Sequence, residues 1–281
     1  MCLGSEDIHL KRDASLPKHR KVLLQNALKD LMADVNVLAI YLAGSLAKQN
    51  FDNYSDIDLH IIVKPEKRTA FIEKKCVRAE KWGNVLFHEN TNPGEPVVVT
   101  HYDCFVKVDS WYHAPDEIIP SIWLKGVEVL YDPNRLISPV IKESSNIHYK
   151  ISTEEVEFWK GKILAFAHEM YRAVMRKEML HAEFNLDRMR WLVVSGWYME
   201  MDEHFDASYG SWSKVEGKRS ILNSRQLSVL EEWRCRRESD ELLVTVTSMI
   251  PEILRLNRRL SEKTGMNADE KHFQNILEMV T

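Results

Sequence analysis

The chain has 281 residues, 44% of them hydrophobic and 28% charged, with a formal net charge of −4. That length allows two domains of ordinary size, each with its own core, and the composition excludes a chain that is mostly disordered. The acidic balance argues against a general nucleic-acid surface, which is usually basic with clustered Lys and Arg, and so favours a small substrate over a polynucleotide.

The N-terminal stretch MCLGSEDIHLKRD lacks the apolar core of a signal peptide, and no apolar run in the chain reaches the length of a membrane helix. A cytoplasmic protein is therefore expected. An amphipathic helix follows from about Lys18 to Met32, with Leu23, Leu24, Ala27 and Leu31 on one stripe. Val37 to Leu42 is a continuous apolar run, as in a buried strand, and Leu59 to Val63 is another. Gly44 and Ser45 stand just past the first run, and Asp56 and Asp58 at the head of the second.

Side chains alternate along an extended chain, so Asp56 and Asp58 point to one side and Ile57 and Leu59 to the other. Two neighbouring carboxylates repel unless a positive partner sits between them, and oxygen-only ligands suit Mg²⁺, which keeps waters and substrate phosphates in its shell. Gly44 removes a side chain where the backbone must approach a phosphate, and Ser45 can offer a hydroxyl and a backbone N–H to its oxygens. The ordered combination reads as a metal-nucleotide site.

Pro65 opens the next helix, whose buried face carries Ile72, Cys76 and Ala79. A short strand at Val85 to His88, a turn through Asn92 to Pro96 and one long strand from Pro96 to Val108 come after it. Alternation along that strand puts Asp103, Phe105 and Lys107 on one face and Cys104, Val106 and Val108 on the other. Gly126 to Tyr131 is the last strand, followed by a connector to about Lys150.

From Ser152 the period becomes helical. Ser152 and Glu155 fit a capping box, and Trp159, Ile163, Phe166, Met170 and Ala173 follow at three- and four-residue intervals. Further helices are expected from Asn185 to Met201, Ser224 to Arg236 and Asp240 to Leu260, the last kinked at Pro251. The cysteines, Cys2, Cys76, Cys104 and Cys235, are scattered without a Cys-x-x-Cys pair and read as reduced thiols, with Cys76 and Cys104 facing the core. The histidines show no metal-ligand spacing, so neither zinc nor calcium is assigned.

The stretch YLAGSLAKQNFDNYSDIDLHIIV resembles the nucleotidyltransferases related to DNA polymerase β, with their Gly-Ser, spacer, Asp-x-Asp and a third aspartate on a later strand. The stretch from Glu157 to Arg190 looks like the helical C-terminal part of bacterial aminoglycoside 6-adenylyltransferases, which add AMP from ATP to streptomycin. Drug-modifying members commonly carry Arg directly after Gly-Ser, and here Leu46 stands there.

The resemblance implies an α/β (α+β) fold: a nucleotidyltransferase domain over residues 1–150, with a mixed β-sheet flanked by helices, and a C-terminal helical bundle over 151–281 that binds the substrate, with the active site between them. It implies transfer of a nucleoside monophosphate, AMP from ATP, to a hydroxyl of a small, aminoglycoside-like acceptor, with pyrophosphate released. Two Mg²⁺ ions, about 3.5 to 4 Å apart, would be held by Asp56, Asp58 and a third carboxylate. Asp103 is the candidate for that third ligand and Asp109 the fallback. Gly44 and Ser45 would hold the β- and γ-phosphates, and Lys107, on the face of Asp103, would neutralise triphosphate charge.

A carboxylate on the helical part would serve as general base. Glu178, which shares a helix face with His181, is preferred to Glu183 and Asp187. Two other readings remain beside this one: nucleotidylation of a protein or tRNA, and a non-catalytic, antitoxin-like nucleotide binder.

Overall fold

Leu16, Leu23, Ala27 and Leu31 lie on one stripe and are buried, which fixes the inner face of the first helix, α1 (Ser5–Met32). This helix starts well before the expected Lys18 and runs through Pro17. The computed structural model describes residues 5–90 and 92–281, so Cys2 lies outside the described residues. Two compact units are present, Met1–His148 and Tyr149–Thr281.

After α1 the first unit continues with β1 (Val37–Leu42), α2 (Gly44–Ala47), β2 (Ile57–Val63), α3 (Arg68–Glu73) and α4 (Lys75–Ala79). Then come β3 (Val85–Glu89), β4 (Val97–Tyr102), β5 (Lys107–His113), β6 (Glu128–Tyr131) and α5 (Ser138–Ser144). The strands form one six-stranded sheet in the order β3-β4-β5-β2-β1-β6. The β2/β5 pair is parallel, while the other neighbours run antiparallel, so the sheet is mixed.

The alternation of β2 divides its residues cleanly. Ile57, Leu59, Ile61 and Val63 join α1 and α3 in one core, whereas Ile62 on the opposite face packs in a smaller cluster with Ala39, Tyr41, Ile118, Leu124 and Ile137. That smaller cluster covers only part of its face. Asp58 and His60, which share the parity of Ile62, are half-buried there.

The long strand expected from Pro96 to Val108 is two strands. Tyr102 N donates to Val106 O and Phe105 N to Tyr102 O, closing a hairpin turn with Phe105 in the left-handed region at φ 63°. The turn contains neither Gly nor Pro, so the alternating pattern passes through it unmarked. In the Pro65 segment the buried position is Lys75 rather than Cys76. The Lys75 ammonium donates to the carbonyls of Pro93 and Glu95 at 2.9 and 2.6 Å, and Cys76 is half-buried beside it. Cys104 and Cys235 are also half-buried free thiols.

The second unit is helical: α6 (Thr153–Met175), α7 (Met179–Glu200), α8 (Ser224–Glu232), α9 (Ser239–Thr264) and α10 (Glu270–Glu278). The Ser152–Glu155 capping box starts α6, with Glu155 N donating to Ser152 Oγ at 3.2 Å and Ser152 N to Glu155 Oε2 at 2.9 Å. The α7 helix begins at Met179, earlier than expected, and α10 and α5 carry too short a periodic signal to be read from sequence. Trp159 is fully buried and donates its indole N–H to Leu192 O at 2.7 Å, tying α6 to α7. A Cβ at Gly196 would come within 3.2 Å of that same indole nitrogen, so the small residue permits the close approach. Trp159→Ala is expected to cost about 3–5 kcal/mol, from the lost contact surface and the cavity left behind. Chemical denaturation checks this, and a loss below about 1 kcal/mol would show that Trp159 does not anchor the bundle. Among the described residues no helix is long and apolar enough to cross a membrane.

Candidate functional site

The site begins at the C-terminal end of β1. Ala43 N donates to Asp58 O at 3.0 Å, and at the next residue the chain turns into α2 with Gly44 at φ +65°. A Cβ on Gly44 would lie 2.8 Å from Asp58 Cγ and closer still to Oδ2. Glycine is required here for both reasons, the left-handed backbone and the carboxylate against it. Ser45, the next residue, is buried, and its hydroxyl has no hydrogen-bond partner.

The loop leading into β2 is held by Arg20, an α1 residue only 5% exposed. Its Nη1 donates to the carbonyls of Asp52, Asn53 and Ser55 at 2.9, 3.3 and 2.9 Å. Asp52 N also donates to Ser55 Oγ at 2.9 Å. These bonds fix the backbone immediately before Asp56. Sequence reasoning missed Arg20, although an arginine on the apolar stripe of Leu16, Leu23, Ala27 and Leu31 is the signal that could have found it.

Across the parallel β2/β5 pair, Asp58 stands opposite Asp109. Ligand oxygens of Asp56, Asp58 and Asp109 all lie within 4.8 Å of one another, and each residue is half-buried. Asp103 is not in this group. It is exposed in the β4/β5 turn, where its carboxylate accepts from Asn84 Nδ2 at 3.1 Å and its backbone N–H donates to Asn84 O at 3.0 Å. The place expected for Asp103 is thus taken by Asp109. In an unbroken strand both have the same parity, and only the turn separates them.

Lys107, also on β5, reaches into the acidic group. Its ammonium lies 2.8 Å from Asp56 Oδ2 and 3.1 Å from Asp109 Oδ2. Burial works against the Lys107 charge, but the hydrogen bond it donates to Asp56 and the charges of both carboxylates outweigh it and raise the pKa well above the ordinary value. For Asp109, burial raises the pKa, Lys107 opposes the rise, and the Asp56 charge adds to it. Asp109 Oδ1 is buried with no partner.

Farther along the same face, the rings of Tyr41, His60 and Trp111 stack across three strands, with centroids 4.6 and 5.9 Å apart. His60 Nδ1 lies 3.0 Å from His113 Nε2. Burial lowers the His60 pKa from the ordinary 6.5 to about 3, and the neighbouring His113 adds to the effect. Burial lowers the His113 pKa as well, so both imidazoles are held toward their neutral form.

The carboxylates named on the helical unit have separate settings. Glu183 receives Arg237 Nε at 2.7 Å, and Asp187 receives Trp212 Nε1 at 2.9 Å. Glu178 is exposed and immediately precedes α7.

Oxygen donors from three carboxylates, one of them with an orphaned buried oxygen, form a donor set for a hard divalent cation. Gly44 lies against the Asp58 carboxylate of this set, and Ser45, the next residue, has a buried hydroxyl without a partner. Residues 23–91 match a family model described as a nucleotidyltransferase domain, a span that includes Gly44, Ser45, Asp56 and Asp58 and ends before β5. Among solved structures the chain is similar to an aminoglycoside 6-adenyltransferase from Bacillus subtilis, at 11% identity over 93% of this chain and 98% of that one, with a TM-score of 0.43. It is also similar to a nucleotidyltransferase-like protein from Exiguobacterium sibiricum, at 10% identity over 87% of this chain and 77% of that one, with a TM-score of 0.44. No curated protein matches the sequence. By the match over residues 23–91, the first unit carries a nucleotidyltransferase domain.

Proposed function

We propose that this enzyme transfers a nucleoside monophosphate, AMP from ATP, to a hydroxyl of a small, aminoglycoside-like acceptor in a divalent-cation-dependent reaction. The observation that carries the reading is the meeting of Asp56, Asp58 and Asp109 beside the Gly44-Ser45 turn, within and just beyond the matched nucleotidyltransferase segment. Asp56, Asp58 and Asp109 would hold Mg²⁺, which when bound stabilises the charge developing on the phosphoryl oxygens and acidifies the attacking hydroxyl.

The chain's own groups divide the remaining work. Gly44 leaves the backbone bare where the triphosphate approaches, and Ser45 has an unused buried hydroxyl to donate to a phosphate oxygen. Lys107, whose ammonium lies against Asp56 and Asp109, would neutralise part of the triphosphate charge. The acceptor oxygen attacks the α-phosphorus, the new O–P bond forms as the bond to pyrophosphate breaks, and the acceptor proton passes to a base. Glu178 is the assigned base.

If so, Glu178→Gln leaves ATP binding nearly unchanged and lowers transfer by about 10² to 10⁴, the usual value of general-base catalysis. Glu183→Gln and Asp187→Asn, whose carboxylates are engaged by Arg237 and Trp212, keep activity by comparison. Full activity in Glu178→Gln would remove the assignment. The reaction itself is tested by pyrophosphate release from ATP in a screen of hydroxyl acceptors with Mg²⁺. Acceptor-dependent release supports the proposal, and nucleotide binding without release with any acceptor would make the protein a binder.

A further inference from the structure

Lys107 is set differently from a lysine that only waits for a triphosphate. Its ammonium bridges Asp56 Oδ2 and Asp109 Oδ2, two of the three carboxylates whose oxygens converge. These are two of the carboxylates that a divalent cation held by the group would use. An ammonium and a cation cannot share them, because two positive charges a few ångströms apart at a partly buried site repel by several times the thermal energy.

The lysine also has the means to leave. It sits two residues before Asp109 on the same face of β5, so its stem starts beside the carboxylates. A four-carbon stem lets the ammonium swing away without any change in the backbone. Arginine could not do this as readily, since its planar fork would grip a carboxylate through two hydrogen bonds.

We infer that Lys107 is a resident counter-ion of the acidic group, one that occupies the cation's place in the nucleotide-free enzyme and is displaced when the cation binds. This inference rests on the nucleotidyl-transfer reading and adds a coupling to it. The displaced ammonium is most stable where it meets new negative charge, and the triphosphate brings that charge to the same spot. Cation binding is therefore weak alone and strengthened by nucleotide, which favours loading of the two together. Lys107 acts here as a positioning residue: it balances the charges of Asp56 and Asp109 until the cation arrives.

The test is Mn²⁺ titration by calorimetry on nucleotide-free protein. Lys107→Met removes the competitor, so Mn²⁺ should bind roughly tenfold tighter or more than in wild type, as expected for removing a like charge within a few ångströms. ATP affinity should fall in the same variant. Lys107→Met also leaves the carboxylates without their counter-ion, so the Mn²⁺-induced rise in Tm is read alongside and should exceed that of wild type at equal Mn²⁺. Lys107→Arg, which keeps a charge at the site, should not gain Mn²⁺ affinity.

A lysine that merely held the carboxylates in place would give the opposite sign, with Mn²⁺ binding weakened in Lys107→Met. Unchanged or weaker binding overturns the inference. Asp58→Asn separates this from failure of the underlying reading. If Asp58→Asn binds Mn²⁺ as well as wild type does, the carboxylates are not the cation site, and both the inference and the proposed chemistry fall.

Discussion

Asp58→Asn and Asp109→Asn are each expected to abolish nucleotidyl transfer while the protein stays folded, and Asp103→Asn to leave it active. Asp58 and Asp109 are register partners on β2 and β5 with oxygens in one group, so either substitution removes a charged ligand from the same place. Metal-assisted charge stabilisation supplies several kcal/mol, and each ~1.4 kcal/mol is tenfold in rate, so the loss should reach several orders of magnitude. Neither carboxylate lies in a hydrophobic cluster of the unit, and Asn is nearly isosteric, so circular dichroism and Tm should change little. Asp103 holds Asn84 at an exposed turn, where its replacement costs at most a surface hydrogen bond. Activity measured on the three folded variants decides the matter. An inactive Asp103→Asn beside an active Asp109→Asn would reverse the assignment of the third carboxylate.

Gly44→Val should be nearly as damaging, for a geometric reason. The backbone at Gly44 is left-handed, which costs a non-glycine residue about 1–2 kcal/mol, and the added Cβ overlaps the Asp58 carboxylate. The overlap can be relieved only by moving Asp58 or the turn. A displacement of about 1 Å in a reacting group is enough to cost roughly 10²-fold in rate, so turnover should drop at least that much, beyond what the modest stability loss explains. Gly44→Ala keeps the same collision with less bulk and should follow the same direction. A folded Gly44→Val with wild-type turnover would show that the position of Asp58 is not set by this contact.

Much of this arrangement is legible in the sequence because it is local. The apolar runs at Val37–Leu42 and Leu59–Val63 mark buried strands, and the period of two fixes which residues share the face of Asp58. The third carboxylate is not local. Asp103 and Asp109 have equal parity, and the turn between them forms at Phe105 without the Gly or Pro that usually announces one. Strand order is equally invisible: that β5 lies parallel beside β2 is decided by packing of the whole unit, and it is this pairing that sets Asp109 opposite Asp58. The sequence marks Lys107 as a charge on the face of Asp103, but its bridge between Asp56 and Asp109 depends on side-chain reach across two strands. Arg20 shows in the sequence only as a charge on the apolar stripe of α1, and its partners, being backbone carbonyls, cannot be read there.

The central claim, that the acidic group on β2 and β5 serves transfer of a nucleoside monophosphate, is tested most directly by following the label. Enzyme, Mg²⁺ and a panel of hydroxyl acceptors are incubated in parallel with ATP labelled at the α-phosphate and at the γ-phosphate. Nucleotidyl transfer places the α-label on the acceptor and the γ-label in pyrophosphate, with both signals lost in Asp58→Asn. Appearance of the γ-label on the acceptor, or α-label transfer undiminished in Asp58→Asn, would contradict it.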